Sequence, residues 1–579
     1  MKSGKKDIQI YGIIASLLVI ASFLYFQFLV PYHLFFKEQL QLFVYTSGYF
    51  GSYFSKPGGL ACYIGDFLTQ FLYLRGGGAT VVSLILLVEW LLISKILKTM
   101  RVEHFAPLWA LFPVVAEWVV YSEISFSIAM SMSFILTLSV FGLYRQIKNN
   151  TISILCGIIL TPVLYFSVGG GMLLFPVLVL LYDIYAGKKR VLYWILLIVC
   201  AGIIPFLMRH FYLLTLKQAY FYPYINLKTG LGLIVLVVVV LFVSIKPVRK
   251  LPVTIPSFLI TIVLILSFLI GGLVKTTDRN REEILGMATE SYFENWNKVL
   301  QQVEKSKLPN NLATYYTNIA LSKQQQMPDK MMEFYQPFSS GLFLPVNPET
   351  GWLTIFFSSD VYFYLGDMNM AQHSAMLGMI FSPYQRSSRL TQHLVEINLV
   401  NDDKPATLKY LRMLESTWVH KKQAARLRVI LDNPEKSEWL ANKRSQLFTT
   451  DIIRGANNPA VSLQHLLEAN PNNRAALDYL LAFCLLNKDI SAFITVYDKY
   501  CKGQITYIPK MYEEALLIYL AGTNAEPQQV QAYGISIGRL QEFNEYTALY
   551  EQSKGNLQQI EKRFPNTYWM YFHFAQTNK

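Results

Sequence analysis

The first half of the chain alternates between long apolar runs and short basic clusters, and the pattern changes near Lys275. A helix needs about 20 mostly apolar residues to cross the hydrocarbon core of a bilayer. The runs therefore predict a transmembrane domain at residues 1–275 with about nine spans. The nine are Ile10–Val30, Thr80–Ile96, Phe105–Tyr121, Ser125–Tyr144, Ile152–Ser167, Gly171–Tyr185, Val191–Met208, Leu231–Ile245 and Val253–Val274.

The second half, residues 276–579, is polar, with helix-length apolar patterns separated by short polar breaks. Two stretches, Pro383–Leu414 and Pro471–Lys499, resemble tetratricopeptide units. Such units are helix pairs of about 34 residues that stack and bury a shared core. The pattern predicts an α-solenoid of tetratricopeptide-like helix pairs, and so an all-α fold for the whole chain.

The net charge of +13 arises entirely in the first half of the chain. Residues 1–275 contain 21 Lys and Arg against 8 Asp and Glu, whereas the remainder contains 30 of each. Basic residues accumulate in the cytoplasmic turns of membrane proteins, which is a sufficient cause for this excess. We therefore expect no nucleic-acid partner.

The basic clusters also predict the orientation of the spans. A cytoplasmic N-terminus, with Lys2, Lys5 and Lys6, makes every even-numbered turn cytoplasmic, and each of these turns is short and basic. Nine spans then place residues 276–579 outside the inner membrane, in the periplasm; a miscount by one would reverse this. The first run is too long for a cleaved signal peptide and lacks a small-residue cleavage site, so it is interpreted as a span.

The first outer loop, residues 32–79, is long and rich in Tyr and Phe, which favours a position in the membrane interface. Apolar residues at helical spacing predict helices at Phe35–Phe50 and Tyr63–Tyr73, separated by a Pro-Gly-Gly turn. Glu38 lies in the first of these helices and Asp66 in the second. Both acids are therefore expected at the outer membrane surface.

Three stretches carry a resemblance: Glu38-Gln39-Leu40-Gln41-Leu42-Phe43, Pro57-Gly58-Gly59 and Asp66-Phe67-Leu68-Thr69-Gln70-Phe71. Together with the two-part layout they resemble a bacterial multi-spanning family. The layout also resembles GT-C glycosyltransferases with appended repeats, such as the TMTC-type mannosyltransferases, and more loosely the O-oligosaccharyltransferases and O-antigen ligases. One departure is that many GT-C enzymes carry two adjacent acids in this loop, whereas here the acids are single.

The GT-C resemblance implies transfer of a sugar or oligosaccharide from a polyprenyl-phosphate donor to an extracytoplasmic acceptor. The acceptor is expected to be a protein that binds the solenoid. Such chemistry needs a carboxylate to activate the acceptor hydroxyl or hold a metal, and cations for the departing phosphate. Glu38 and Asp66 are the implied catalytic residues; interfacial solvation, or pairing with Lys37 and Arg75, is the alternative. The implied phosphate-binding residues, otherwise boundary anchors, are Arg75, Arg209, His210 and Lys217.

Two further acids, Glu89 and Glu117, lie within predicted spans, where ionisable groups are costly and tend to be functional. A proton or ion relay is their predicted use, and protonation or pairing with a buried polar group is the alternative. Three functions therefore stay open. They are a GT-C glycosyltransferase, a non-enzymatic envelope assembly factor that recruits partners through its solenoid, and a transporter with a regulatory domain.

Other sequence signals add little to the choice between these functions. No Walker A loop, dinucleotide-binding Gly pattern, His-Glu-x-x-His or Gly-x-Ser-x-Gly motif occurs in the chain. The five cysteines form no metal-ligand pattern, and for Cys484 and Cys501 both a disulfide and free thiols stay open. No cofactor is indicated by a motif, a divalent cation stays open, and the metal ligands are unknown.

Overall fold

The computed structural model describes residues 2–100, 105–224, 226, 228–244, 254–347, 349, 351–448 and 458–575; of residues 2–8 and 527 only the backbone is described. Within these ranges the regular structure is helical and contains no β-strand. The prediction of an all-α fold is confirmed for this part of the chain. The chain divides into two compact units, Met1–Glu282 with Ser416–Lys421, and Glu283–Glu415 with Lys422–Lys579.

The first unit is built from apolar helices joined by short turns. Its described helices are α1 (Lys2–Leu24), α2 (Tyr32–Gln39), α3 (Ser47–Ser52), α4 (Gly59–Thr69), α5 (Gly77–Thr99), α6 (Ala106–Trp109), α7 (Leu111–Tyr121), α8 (Ile128–Tyr144), α9 (Asn150–Val168), α10 (Leu174–Tyr185), α11 (Val191–Phe211), α12 (Leu216–Phe221), α13 (Leu231–Ser244) and α14 (Ile255–Thr276). Helix α15 (Arg279–Tyr292) continues from the first unit into the second.

Within the described ranges, five helical stretches are long and apolar enough to cross a membrane: Gln9–Leu29, Gly77–Thr99, Asn150–Tyr185, Val191–Phe211 and Ile255–Thr276. Three shorter apolar stretches cover Ala106–Tyr121, Ile128–Tyr144 and Leu231–Ser244. The predicted fifth and sixth spans form the single 36-residue stretch, which is interrupted only by a 3₁₀ turn at Gly169–Leu173. The ends of two predicted spans, Ile245 and Val253, lie outside the described residues, and the number of nine stays a prediction.

The ends of the first, third and ninth predicted spans meet. The hydroxyl of Tyr25 lies 3.1 Å from the Ser122 hydroxyl, just after α7, and 2.8 Å from the Thr277 hydroxyl, just after α14. Helix α14 packs closely on α7, because a Cβ at Gly272 would collide with Val119. Because α7 and α14 pack side by side with their C-terminal ends together, these two helices run in the same direction.

A close helix contact positions the first outer segment. Helix α4 packs against α8 at Gly65, where a Cβ would collide with the backbone of Ala129.

We expect Gly65→Ala to lower the free energy of unfolding by about 2 kcal/mol, because overpacking forces backbone shifts. Thermal unfolding in detergent measures this. Gly48→Ala is the control, since a Cβ added there would have no atom within 4 Å; an equal loss in both variants would contradict the packing argument.

The second unit consists of successive helices that pack on their neighbours in sequence. Its described helices are α16 (Trp296–Ser306), α17 (Asn311–Lys323), α18 (Met327–Lys330), α19 (Trp352–Leu365), α20 (Met368–Phe381), α21 (Ser388–Val400), α22 (Lys404–Glu415), α23 (Lys421–Asp432), α24 (Glu438–Arg444), α25 (Pro459–Ala469), α26 (Arg474–Leu486), α27 (Ile490–Tyr500), α28 (Lys510–Gly522), α29 (Pro527–Ala532), α30 (Ile537–Gln552), α31 (Leu557–Arg563) and α32 (Tyr568–Phe574).

Both stretches that resemble tetratricopeptide units are helix pairs, α21 with α22 and α26 with α27. The solenoid architecture itself stays a prediction. Cys484 and Cys501 are free buried thiols, so the disulfide left open by the sequence is absent between these two described residues.

Candidate functional site

The first outer segment, residues 32–79, differs from its predicted form. A single helix was expected at Phe35–Phe50, but α2 ends at Gln39 and a non-helical stretch follows to Thr46. The Thr46 side chain then caps α3 by accepting a hydrogen bond from the Tyr49 amide. Helix α4 begins at Gly59, immediately after Gly58, whose φ of 76° favours glycine. The non-helical stretch between α2 and α3 therefore separates Glu38 from the aromatic residues that follow it in the sequence.

Asp66 lies on α4, half-buried, with its carboxylate beside two tyrosines. The Tyr53 hydroxyl donates a hydrogen bond of 2.5 Å to Asp66 Oδ2 and lies 2.6 Å from the Tyr49 hydroxyl. Burial raises the pKa of Asp66 to about 6, although the hydrogen bond from Tyr53 and the nearby Gln41 side chain oppose the rise. A carboxyl group with this pKa is ionised at neutral pH and can still accept a proton readily, as a general base requires.

An aromatic cluster surrounds this acid. The Phe43 ring lies 5.2–5.7 Å from the rings of Tyr45, Tyr49, Tyr63 and Phe67. Several large apolar side chains of the region remain exposed: Tyr45, Phe50, Phe54, Leu60 and Trp418. An aromatic surface with few, precisely placed polar groups is typical of small-molecule sites.

Glu38 has a different environment, because its carboxylate is buried against a histidine from far along the chain. Glu38 Oε1 lies 2.7 Å from His420 Nε2, and the two residues are only 2% and 3% exposed. The other ring nitrogen of His420, Nδ1, is buried and has no hydrogen-bond partner among the described residues. The His420 ring packs edge-on against Tyr73 at 4.6 Å.

His420 belongs to the segment Ser416–Lys421, which is part of the first unit although 382 residues separate it from Glu38 in sequence. The segment makes further contacts with residues 32–79. The Tyr45 amide donates to the Ser416 carbonyl at 2.8 Å, and the Trp418 ring lies 6.2 Å from that of Tyr45. Sequence reasoning missed His420, because no motif or spacing linked it to the first loop.

Gln41 connects the two predicted catalytic acids. Its backbone amide donates to the Glu38 carbonyl at 3.0 Å, and its side chain lies close enough to Asp66 to lower the pKa of that carboxyl, although Gln41 Nε2 forms no hydrogen bond within the described residues. The structure therefore brings Glu38 and Asp66 into one cluster, but in unlike settings: Glu38 is sealed against His420, whereas Asp66 is partly accessible.

None of the predicted phosphate-binding residues forms an ion pair with these acids within the described residues. Arg75 and Lys217 are exposed, and neither forms an ion pair in the described part of the chain. Arg209 and His210 lie at the end of α11, where Arg209 Nε donates to His210 Nε2 at 3.2 Å. The Arg209 guanidinium also packs over the Phe206 ring, 4.7 Å from its centroid. These contacts are what interfacial anchors make, and a role toward phosphate stays a prediction.

Lys37 is a buried cation that neighbours Glu38 in sequence. Its ammonium lies 5.3 Å from the centroid of the Phe126 ring, and the residue is 8% exposed. Burial lowers the pKa of Lys37 to about 7, although the negative charge of Glu123 opposes the shift. The folded protein therefore releases this proton at a far lower pH than the unfolded chain does.

This difference predicts a pH-dependent stability. The unfolded chain keeps the Lys37 proton to about pH 10.5, so the free energy of unfolding rises between pH 7 and 10.5. We expect Lys37→Met to add roughly 4 kcal/mol at or below pH 7 and progressively less above it. Thermal unfolding from pH 6.5 to 9.5 tests this, with exposed Lys56→Met as control. A gain of Lys37→Met that does not shrink with pH would contradict the argument.

The two intramembrane acids lie close to each other, within electrostatic range. Glu117 Oε2 accepts a hydrogen bond of 3.2 Å from the Ser131 hydroxyl, and Glu117 packs directly on Gly232 of α13. Glu89 is fully buried on α5, and both of its carboxylate oxygens lack a hydrogen-bond partner in the described ranges. Two buried carboxyl groups with one hydroxyl between the helices form a polar centre inside an apolar bundle.

Metal binding finds no support in these groups. Within the described ranges, no three His, Cys, Asp or Glu side chains come together as ligands for an ion.

Comparison with known proteins places the chain in one family. No curated protein and no solved structure matches it. Residues 6–575 match a family of unknown function (DUF6057). Because that match spans nearly the whole chain, the protein belongs to this family of unknown function, DUF6057.

Proposed function

We propose that this protein is a membrane glycosyltransferase of the GT-C type, with Asp66 as its general base. The observation that carries the proposal is the half-buried Asp66 carboxylate, held by Tyr53, with a pKa raised to about 6 beside exposed aromatic residues. The site belongs to the same compact unit as the candidate membrane spans. A lipid-linked donor dissolved in the bilayer reaches such a position by lateral diffusion.

In the proposed reaction Asp66 takes the proton of the acceptor hydroxyl. The resulting oxygen nucleophile bonds to the anomeric carbon of the donor sugar while the bond from that carbon to the phosphate oxygen breaks. The electron pair of the broken bond leaves with the polyprenyl phosphate, and protonated Asp66 then releases its proton to water. Tyr53 holds the carboxylate in place and, as a hydrogen-bond donor, keeps its pKa low enough for ionisation at neutral pH.

The proposal gives Glu38 a positioning role. Its carboxylate is sealed against His420 and is therefore badly placed to meet an acceptor hydroxyl. Through that hydrogen bond Glu38 fixes Ser416–Lys421, and with it the exposed Trp418 ring beside Tyr45. Exposed aromatic rings offer the sugar a flat apolar surface.

The remaining parts of the proposal concern donor and acceptor. About nine spans, with the N-terminus in the cytoplasm, place the second unit in the periplasm. The second unit contains a pocket of about 440 Å³ whose lining includes Thr314, Glu333 and Tyr335. We propose this pocket, within a tetratricopeptide-like solenoid, as a binding place for the acceptor. Arg75 is the proposed contact for the donor phosphate.

One observation favours a second candidate function. The buried Glu89 and Glu117, which lie within electrostatic range of each other, are groups that a proton-coupled transporter uses. The two functions make opposite demands on the acids. A transferase needs Asp66 and tolerates Glu89→Gln, whereas a transporter needs Glu89 and tolerates Asp66→Asn.

The test uses the full chain in nanodiscs with a panel of polyprenyl-phosphate-linked sugars as donors. Released polyprenyl phosphate is measured by mass spectrometry, with envelope extract supplying the acceptor. We expect one donor class to be consumed only when protein and acceptor are both present. Turnover of no donor, with envelope phenotypes lost through second-unit variants instead, would favour an assembly factor.

A further inference from the structure

A polar pocket of about 300 Å³ lies in the first unit, at the point where three predicted spans end. Its lining includes Val30, Ser122 and Thr277, each of which closely follows the last residues of Gln9–Leu29, Ala106–Tyr121 or Ile255–Thr276. Because all three helices are apolar up to these ends, the pocket lies at the depth where hydrocarbon gives way to lipid headgroups. The carbonyl ends of three helices also favour positive charge there.

Two charged groups of the lining satisfy each other. His33 Nδ1 lies 3.2 Å from Glu282 Oε2, and Nε2 lies 3.0 Å from the Tyr121 carbonyl. Both ring nitrogens of His33 therefore have a partner within the protein. Glu282 also accepts hydrogen bonds from the backbone amides of Tyr32 and His33. His33 and Glu282 therefore form part of the pocket wall, and little of their hydrogen-bonding capacity is left for a ligand.

Four other charged groups line the pocket, namely Glu123, Lys275, Asp278 and Arg281. Glu123 is half-exposed, accepts a 3.3 Å hydrogen bond from the Ser125 hydroxyl and lies within electrostatic range of the buried Lys37. Lys275 is exposed and forms no ion pair within the described residues. Arg281 is exposed and lies 3.8 Å from Asp278, too far for a strong ion pair. The pocket thus offers the Glu123 carboxylate with hydroxyls beside it, the Asp278 carboxylate beside Arg281, and two cations.

We propose that this pocket binds the headgroup of phosphatidylethanolamine. The ammonium group donates hydrogen bonds to Glu123 and to the hydroxyls of Ser122 and Ser125, and the helix carbonyl ends favour its charge. The phosphate binds Lys275 and Arg281. The exposed apolar side chains of Ile270 and Val274, on the last turns of α14, then lie against the acyl chains. This inference is independent of the proposed transferase activity.

A zwitterionic ligand with a primary ammonium fits the charges better than the two alternatives. An anionic glycerol headgroup has no cation for Glu123 and would leave that carboxylate facing a phosphate. A choline headgroup carries the same charges but donates no hydrogen bond, so its cation gains less from Glu123 and the serines. Hydrogen bonds to a charged group are worth about 1.5–3 kcal/mol, which corresponds to at least a tenfold preference.

The test is native mass spectrometry of the detergent-purified full chain, titrated with lipids of identical acyl chains. We expect phosphatidylethanolamine to bind about tenfold more tightly than phosphatidylcholine. The affinity should fall stepwise for the lipids with mono- and dimethylated headgroups, because each methyl group removes one N–H donor. This series needs no protein variant. Equal binding across the series, or tighter binding of phosphatidylglycerol, would overturn the proposal.

Variants test the assigned contacts. Glu123→Gln is expected to remove the preference for phosphatidylethanolamine over phosphatidylcholine. Arg281→Gln is expected to weaken both lipids several-fold while keeping the preference. The matched control is Arg279→Gln, an exposed arginine of the same helix that is absent from the pocket lining. A preference retained in Glu123→Gln, or an equal loss in the control, would assign the binding to general surface charge.

Discussion

Replacing Asp66 with Asn is expected to abolish sugar transfer while leaving the protein folded. A positioned general base contributes about 10²–10⁴-fold to a rate, and asparagine cannot accept the proton. Burial raises the pKa of Asp66 to about 6, so ionising this group costs the folded protein stability above that pH. The variant should therefore be as stable as the wild type at pH 8, or more stable. Polyprenyl phosphate release and thermal unfolding measure the two effects.

The pH profile distinguishes a base from a merely structural acid. Wild-type activity is expected to fall as the pH drops through about 6, where Asp66 takes up a proton. Tyr53→Phe removes a hydrogen bond that lowers the Asp66 pKa, so the acid limb should move to higher pH. Tyr63→Phe is a matched control from the same aromatic cluster. A profile that is identical in Tyr53→Phe would count against Asp66 as the base.

The second large effect, a loss of stability, is expected when the buried Glu38–His420 contact is broken. His420→Leu removes the imidazole that faces a carboxylate only 2% exposed, and losing one partner of a buried pair costs about 3–5 kcal/mol. The double variant Glu38→Leu/His420→Leu should be less destabilised than His420→Leu, because it removes the buried charge as well. Thermal unfolding of the full chain in detergent, analysed as a double-mutant cycle, gives the coupling.

His465 and Glu468 provide the control for this cycle. They form a pair of similar length, 2.9 Å, but their side chains are 37% and 56% exposed. Exposed pairs are worth about 0–1 kcal/mol, so His465→Leu should have little effect. Glu38→Gln is expected to keep most transfer activity, unlike Asp66→Asn. If Glu38→Gln were as inactive as Asp66→Asn and equally stable, Glu38 would act in the reaction itself.

Much of the first unit could be predicted from apolar run lengths. Each predicted span coincides for most of its described length with a helix, although the fourth begins at Ile128 rather than Ser125. A helix is the structure that satisfies the backbone of such an apolar run without water. The prediction failed between Leu40 and Thr46, where apolar spacing suggested a continuous helix. There a Thr46 cap and a backbone hydrogen bond from Tyr45 to Ser416 favour a break. Periodicity carries no information about such contacts.

At the candidate site, too, the sequence carried no information about contacts between distant segments. Glu38 and Asp66 were identifiable as acids in a long outer loop, but the sequence assigned them equal roles. Their unlike burial, and the histidine at Glu38, depend on a segment nearly 400 residues away in the chain. The pocket at Glu123, Lys275 and Arg281 escaped prediction similarly, since its residues follow three separate spans.

The sequence by itself determined that the protein is helical, that its first half is apolar enough for a membrane, and that its excess positive charge belongs to that half. These properties follow from local composition and periodicity, which need no partner elsewhere in the chain. The tertiary structure decided which acid is sealed, which is accessible and where opposite charges meet. Burial and hydrogen bonding between distant segments set those properties, and they arise only when the chain has folded.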